Sequence, residues 1–378
     1  MVRRRDSAPR GTASLSQSFP PVVAWQADLV SALSAADQAV GRLAGEGRRL
    51  PNPHLLIRPF LRREAVLSSR IEGTQATLGE LLAAEAGAAV ARSPADLREV
   101  ANYVVALEYG VERLRELPLS LRLVRELHAR LMEGVRGRDA HPGEFRRIQN
   151  WIGPPGCSIE QATFVPPTPN QLSQLLGEWE SFLHDRTLPP LAQIALVHHQ
   201  FETIHPFLDG NGRVGRLLIT LFLVERDILP SPLLYLSAFF EATRSEYYRR
   251  LQAVREAADW PGWLLYFLRG VTRQAQDALQ RAERINELLA GWRSLAAASK
   301  SRAMPGLIDL LAANPYWTVK RAAERLDVAY TTAQRAIEQL VTAGVMKQVG
   351  EAKRDRLFCA GEILAILEEP TGLEEEPS

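Results

Sequence analysis

His205-Pro-Phe-Leu-Asp-Gly-Asn-Gly-Arg-Val-Gly-Arg216 is the stretch on which the reading of this 378-residue chain turns. Gly210 and Gly212 flank Asn211 just ahead of an apolar helical pattern, so backbone N–H groups can converge there on a concavity suited to an anion. The helix that follows adds its positive N-terminal end. Arg213 and Arg216, three residues apart, share one face of that helix, and guanidinium groups match phosphate oxygens in bidentate fashion. Asp209 enters the same turn; a carboxylate beside phosphates makes chemical sense as a Mg²⁺ ligand, with phosphates and water completing the shell. His205 lies one short turn upstream, and with an unperturbed pKa of about 6.5 it can take a hydroxyl proton near pH 7. Taken singly, each feature has a plain structural reading: a turn, a packed histidine, a solvated arginine pair. In this order and spacing the functional reading wins. No Gly-x-x-x-x-Gly-Lys-Ser/Thr phosphate loop competes with it.

Outward from this stretch the pattern is mainly α. Residues 190–204 read as one helix, with Ile194, Val197, His198 and Phe201 on a common face, and residues 211–225 as the next. The helical pattern extends from about residue 22 to 298, with a helix start at Ser93-Pro-Ala-Asp96. One segment interrupts it. Proline and glycine clusters bracket short apolar runs between Asn150 and Pro169, which predicts a β-hairpin flap with Trp151 and Ile152 on one arm and Phe164 and Val165 on the other. Residues 1–20 are expected to be disordered. An apolar fraction of 46% and a charged fraction of 24% fit a globular chain of two or three domains. A net charge of +1 gives no overall pull toward nucleic acid or membrane. The best apolar run, Leu217 to Val224, is too short for a transmembrane helix, and the basic start lacks the apolar segment of a signal peptide. Two cysteines, Cys157 and Cys359, give no disulfide framework, so a cytoplasmic location is expected.

The 205–216 stretch matches every defined position of His-x-Phe-x-Asp/Glu-Gly-Asn-Gly-Arg-x-x-Arg, and here the chain resembles the Fic family. Glu144-Phe-Arg-Arg-Ile-Gln-Asn-Trp-Ile-Gly153 and Phe164-Val-Pro-Pro167 resemble that family's flap, and the resemblance runs from roughly residue 50 to 270. It implies a Fic-type helical bundle and a nucleotidyltransferase: a protein adenylyltransferase that moves AMP from ATP to a Ser, Thr or Tyr hydroxyl of a target protein, with auto-modification as the readiest product. By this resemblance His205 is the base, Asp209 holds Mg²⁺, and Asn211 with the Gly210 and Gly212 backbone positions the phosphates. Arg213 and Arg216 neutralise the leaving pyrophosphate, and the flap binds the target as an added strand.

Upstream, Ser68-Ser-Arg-Ile-Glu72-Gly73 ends a helical pattern over about 54–72. Read plainly, it is a helix end with Gly73 as C-cap. It also resembles the inhibitory motif of Fic proteins that carry their own N-terminal inhibitory helix. That resemblance implies that Glu72 pairs with Arg216 and displaces the γ-phosphate, and that Glu72 can also support removal of AMP from a modified target.

Residues 299–360 change texture. Helical patterns at about 303–313, 318–326 and 330–343 precede a β-hairpin pattern from Val345 to Phe358 turning at Gly350, the order of a winged helix-turn-helix domain. Ala323, Leu326, Val328, Ala333, Ile337 and Leu340 are its expected core; Thr331, Thr332, Gln334 and Arg335 are expected to face outward. Ten basic residues (including Lys300, Lys353, Arg354 and Arg356) against six acidic ones leave a net +4 over 300–360, which allows DNA phosphate contacts. Winged helices also serve as protein-interaction or homodimer modules, so both readings stand. The expected organisation is therefore a disordered 1–20, an N-terminal helical region with the inhibitory helix over 21–115, the Fic domain and following helices over 116–298, the winged helix over 299–360, and an acidic tail over 361–378. The competing reading is a DNA-binding regulator whose Fic-like domain senses nucleotide.

Overall fold

α-Helices carry most of the chain, as its 3.6-residue periodicity predicts. The structure is a computed structural model and describes residues 19–49, 53–90, 92–135, 141–154, 156–299, 301–351 and 355–370. Most of the expected disordered N-terminus, Lys300, Lys353, Arg354 and the last part of the acidic tail (Glu374 to Glu376) lie outside the described residues. The helices are α1 (Ala27–Arg49), α2 (Pro53–Ile71), α3 (Leu78–Glu85), α4 (Pro94–Arg113), α5 (Leu121–Leu131), α6 (Leu172–His184), α7 (Pro190–Ile204), α8 (Asn211–Glu225), α9 (Ser237–Ala242), α10 (Arg244–Ala257), α11 (Trp260–Ala298), α12 (Met304–Ala313), α13 (Val319–Leu326), α14 (Tyr330–Thr342) and α15 (Gly361–Glu368). Among the described residues no helix is long and apolar enough to cross a membrane.

These elements fall into two compact units. The first comprises the chain up to Asp37, Val105–Arg226 and Arg244–Gly270. Its centre is the antiparallel pair α7 and α8, flanked by α6 against α7 and α5 against α8. Both central helices are buried almost all round, which explains why Leu217 to Leu223 is apolar except for the buried Thr220. Gly215 permits the close crossing: a Cβ there would meet Glu202 Oε1 at 2.7 Å and the rings of His198 and Phe201 at 3.3 Å. Buried indoles pin α7 from outside, Trp179 donating to the Val197 carbonyl (3.0 Å) and Trp263 to the Ala195 carbonyl (2.9 Å).

The second unit comprises Gln38–Val104, Asp227–Thr243 and the chain from Val271 onward. α2 is its axis, packed by α3, α9, α12 and α15. Glu64 of α2 is buried and accepts from the Tyr103 hydroxyl (3.1 Å) and from the backbone and hydroxyl of Ser237 (3.2 and 2.5 Å), so its charge is compensated by three donors. At the C-terminal end, α12, α13 and α14 are followed by β2 (Lys347–Val349) and β3 (Leu357–Cys359). A short strand that the sequence did not announce, β1 (Tyr316–Thr318), completes an antiparallel sheet of order β1-β3-β2. Ala323, Ala333, Ile337 and Leu340 are buried, while Leu326 and Val328 are only half-buried. Thr331 and Arg335 are exposed, whereas Thr332 and Gln334 are half-buried. Residues 361–368, read from sequence as the start of an acidic tail, form α15, whose Ile363, Ile366 and Leu367 are buried.

Candidate active site

The loop between α7 and α8 contains the whole motif. α7 stops at His205, which adopts a left-handed conformation (φ 49°, ψ 61°) with its N–H on the Phe201 carbonyl. A non-glycine residue there is strained, and Pro206 forbids continuation of the helix. Phe207 is fully buried and stacks on His128 with ring centroids 3.7 Å apart. Gly210 then opens α8 at φ 76°. Glycine is required there twice over, by the positive φ and because a Cβ would meet Met132 Sδ at 3.0 Å and the His128 ring at 3.5 Å. Gly210, Gly212 and Gly215 have the spacing of a dinucleotide-binding glycine run, but they follow a helix and loop, not a strand, so that fingerprint lacks its structural context.

Four side chains fix the loop through its backbone. Asn211, buried, accepts from the Phe207 N–H (2.8 Å) and donates to the Phe207 carbonyl (2.9 Å), with Asn150 donating to the same carbonyl (2.9 Å). The Asn211 amide is thus spent on shaping the loop rather than directed at a ligand. Arg146, 4% exposed, donates to the carbonyls of His205 (2.9 Å), Ile204 (3.3 Å) and Pro167 (2.5 Å), joining the histidine loop to the flap; burial pushes its guanidinium down to about 10. His128 takes the Gly143 N–H on Nδ1 (2.8 Å), so its proton sits on Nε2 and is given to the Asp209 carbonyl (3.0 Å). Burial pushes the His128 imidazole down to about 4, which keeps it neutral. None of these roles for Arg146, His128 or Asn150 was read from sequence. Arg146 and Asn150 lie within the stretch quoted for its family resemblance; nothing local marks His128.

The charged groups of the motif divide by exposure. Arg213 and Arg216 are buried at 3% and 2%, whereas the Asp209 carboxylate is 58% exposed and 3.6 Å from the Arg213 guanidinium. Asp209 Oδ1 accepts from the Gly210 N–H (2.6 Å). That contact engages the Gly210 amide, which was expected from sequence to face phosphate. An outward carboxylate beside the buried Arg213 guanidinium fits a cation that is itself shared with phosphate oxygens. Among the described residues there is no cluster of three or more His, Cys, Asp or Glu that would hold a metal by itself.

The flap is narrower than a hairpin of named strands: Ile152 and Phe164 form one antiparallel bridge, exchanging N–H···O bonds of 2.8 and 3.0 Å. Phe164 and Val165 are buried as anchors, with the Arg255 guanidinium 3.7 Å above the Phe164 ring; Trp151 is the exposed member, 42% accessible. In the second unit, Ser68 is fully buried and Glu72 is exposed just beyond α2. Gly73 (φ 101°) closes the helix by donating to the Arg70 carbonyl. Gly73 is therefore a true C-cap, as the plain reading of that segment expects.

The fold is similar to that of solved structures. A Fic family protein from Desulfovibrio desulfuricans G20 superposes with a TM-score of 0.59 at 20% identity, covering 90% of this chain and 98% of the other. Fic-1 from C. elegans gives 0.51 at 22% identity over 68% and 74% of the two chains. The Fic/DOC family N-terminal model matches residues 30–112 and the Fic/DOC family model residues 118–223, half of the chain between them, and the chain belongs to this family. Among curated relatives, the proteins called protein adenylyltransferase Fic from Drosophila erecta and Drosophila melanogaster are 31% and 30% identical over 162 residues, 42% of this chain. The match spans 29% and 30% of the length of those relatives.

Proposed function

We propose that the chain is a protein adenylyltransferase that transfers AMP from ATP to a Ser, Thr or Tyr hydroxyl of a target protein. The observation that carries this reading is the prebuilt loop 205–211, which sets a histidine beside the N-terminus of a helix bearing two buried arginines. His205 takes the hydroxyl proton, the oxygen attacks the α-phosphorus, and the bond to the β-phosphate breaks to release pyrophosphate. Arg213 and Arg216 offset the charge of the leaving group, and the α8 N-terminus with Gly212 faces the phosphates. Asp209 would hold Mg²⁺, which when bound neutralises phosphate charge. The target lies along the flap beside Trp151. The relatives named protein adenylyltransferase support the same chemistry.

Glu72 is the proposed lock, competing with the γ-phosphate for Arg216; in the reverse direction it would activate water to remove AMP. The α12–α14 unit with its sheet is read as a winged helix that contacts DNA, another protein or a second copy, and the exposed Thr331 and Arg335 on α14 favour a docking role. The deciding experiment compares wild type, Glu72→Gly and Glu72→Gly/His205→Ala with α- and γ-labelled ATP. The expected outcome is label from the α-position on protein in the Glu72→Gly form, none in the double variant, and retained ATP binding in both. Undiminished labelling without His205, or transfer of the γ-label alone, would overturn the assignment.

A further inference from the structure

A recess of about 890 Å³ lies wholly within the second unit, walled by α2, the end of α3, the turn from α12 into β1, and α13. It shares no residue with the 205–216 motif. Four arginines line it, Arg58 and Arg62 from α2 and Arg321 and Arg325 from α13. Arg62 is committed, its Nε donating to both Glu85 oxygens at 2.9 and 2.7 Å. The guanidinium groups of Arg58, Arg321 and Arg325 have no hydrogen-bond or ion-pair partner among the described residues. A single uncommitted carboxylate in the lining, Glu324, stands against these three charges.

Exposed arginines usually form a solvated face. Here, however, three of them converge from two helices far apart in sequence on one concave volume. Such like charges repel one another unless an anion sits among them. The volume falls within the range of small-molecule sites, about 300–1,000 Å³. Guanidinium groups favour phosphate oxygens in bidentate contact, and Tyr316 and Trp317 supply aromatic surface in the same recess. A nucleic-acid duplex would be met by a ridge or projecting helix rather than by a recess of this size. We propose that this cleft binds a small phosphate-bearing ligand of nucleotide size, at a second site distinct from the motif. Arg58 and Arg62 lie on the helix that ends just before Glu72, so an occupant of the cleft pulls on the element that carries the proposed lock. That last coupling rests on the adenylyl-transfer reading; the binding site does not.

The test is calorimetric titration of the full chain with ADP and with inorganic pyrophosphate, for wild type and for Arg58→Ala/Arg321→Ala/Arg325→Ala, with a short DNA duplex as a third probe. All three side chains are exposed, so matching thermal melts should show that the variant folds. One binding event per chain should weaken by roughly 100-fold or more in the variant, as expected for the loss of charge-assisted contacts. If the motif also binds ADP, wild type shows two events and the variant one; if the motif does not, the counts are one and zero, so the two readings fail separately. Equal stoichiometry and affinity in both proteins, or a variant defect confined to the duplex, would refute the small-ligand site.

Discussion

Replacing Arg146 by Met would keep the aliphatic stem and remove the guanidinium that joins the histidine loop to the flap. That group is 4% exposed and donates to backbone carbonyls of Ile204, His205 and Pro167, with no carboxylate partner among the described residues. Two of these bonds, to His205 and Pro167, are within 2.9 Å. Charged hydrogen bonds contribute about 1.5–3 kcal/mol each, and the abandoned carbonyls stay buried, so the loss works out at about 3–6 kcal/mol. The variant should lower the urea midpoint at unchanged slope. It should also speed hydrogen exchange at the Ile152 and Phe164 amides, whose bridge leans on the same anchor. Lys at this position should recover only part of the loss, because one ammonium cannot span carbonyls on two segments. A Met variant within about 0.5 kcal/mol of wild type, the range of an ordinary surface substitution, with flap exchange unaltered, would show that Arg146 does not tie the loop to the flap.

Acid should weaken the fold in a defined window. Burial pushes His128 down to about 4 and His198 and His199 down to about 3, from 6.5, so the folded chain binds fewer protons than the unfolded one as pH falls below 6.5. The corresponding stability is complete above pH 6.5 and drains as pH falls through each folded value, His128 alone accounting for roughly 3 kcal/mol. Denaturation free energies measured from pH 7 to 4.5 should slope downward, and less steeply in His128→Gln; a level profile would contradict the assignment. Gly215→Ala should destabilise by about 1–3 kcal/mol through the contacts with Glu202, His198 and Phe201, read as a shift in thermal midpoint. Gly177→Ala on α6, where a Cβ meets nothing within 4 Å, should instead stabilise by about 0.5–1 kcal/mol.

Local signals carried the helices well. The α7 and α8 boundaries fall at residues 190, 204, 211 and 225, as periodicity and the Gly-Asn-Gly junction indicate, and α2, α12, α13 and α14 fall within one residue of the ends read from pattern alone. These signals are contained within a few turns of chain. What stayed hidden depends on residues distant in sequence. His128 reaches Asp209 across 81 positions and Arg146 reaches His205 across 59, and nothing in either neighbourhood announces the other. The three-residue β1 is held by pairing with β3 rather than by its own propensity. α15 was masked by its acidic flanks, although Ile363, Ile366 and Leu367 have helical spacing. Asn211 shows the limit within the motif itself: its identity was legible, but whether its amide faces a ligand or the backbone was not.

The closure of Asn211 onto both polar atoms of Phe207 has a thermodynamic corollary. A loop fixed in one shape beforehand loses little conformational entropy if an anion binds that shape. Association at the α8 N-terminus should therefore carry a heat-capacity change set by the ligand's own dehydrated surface, without the additional change that accompanies folding on binding. Freeing the loop with Asn211→Ala would restore that additional change, so the difference between the two calorimetric slopes would gauge how much order the amide provides in advance.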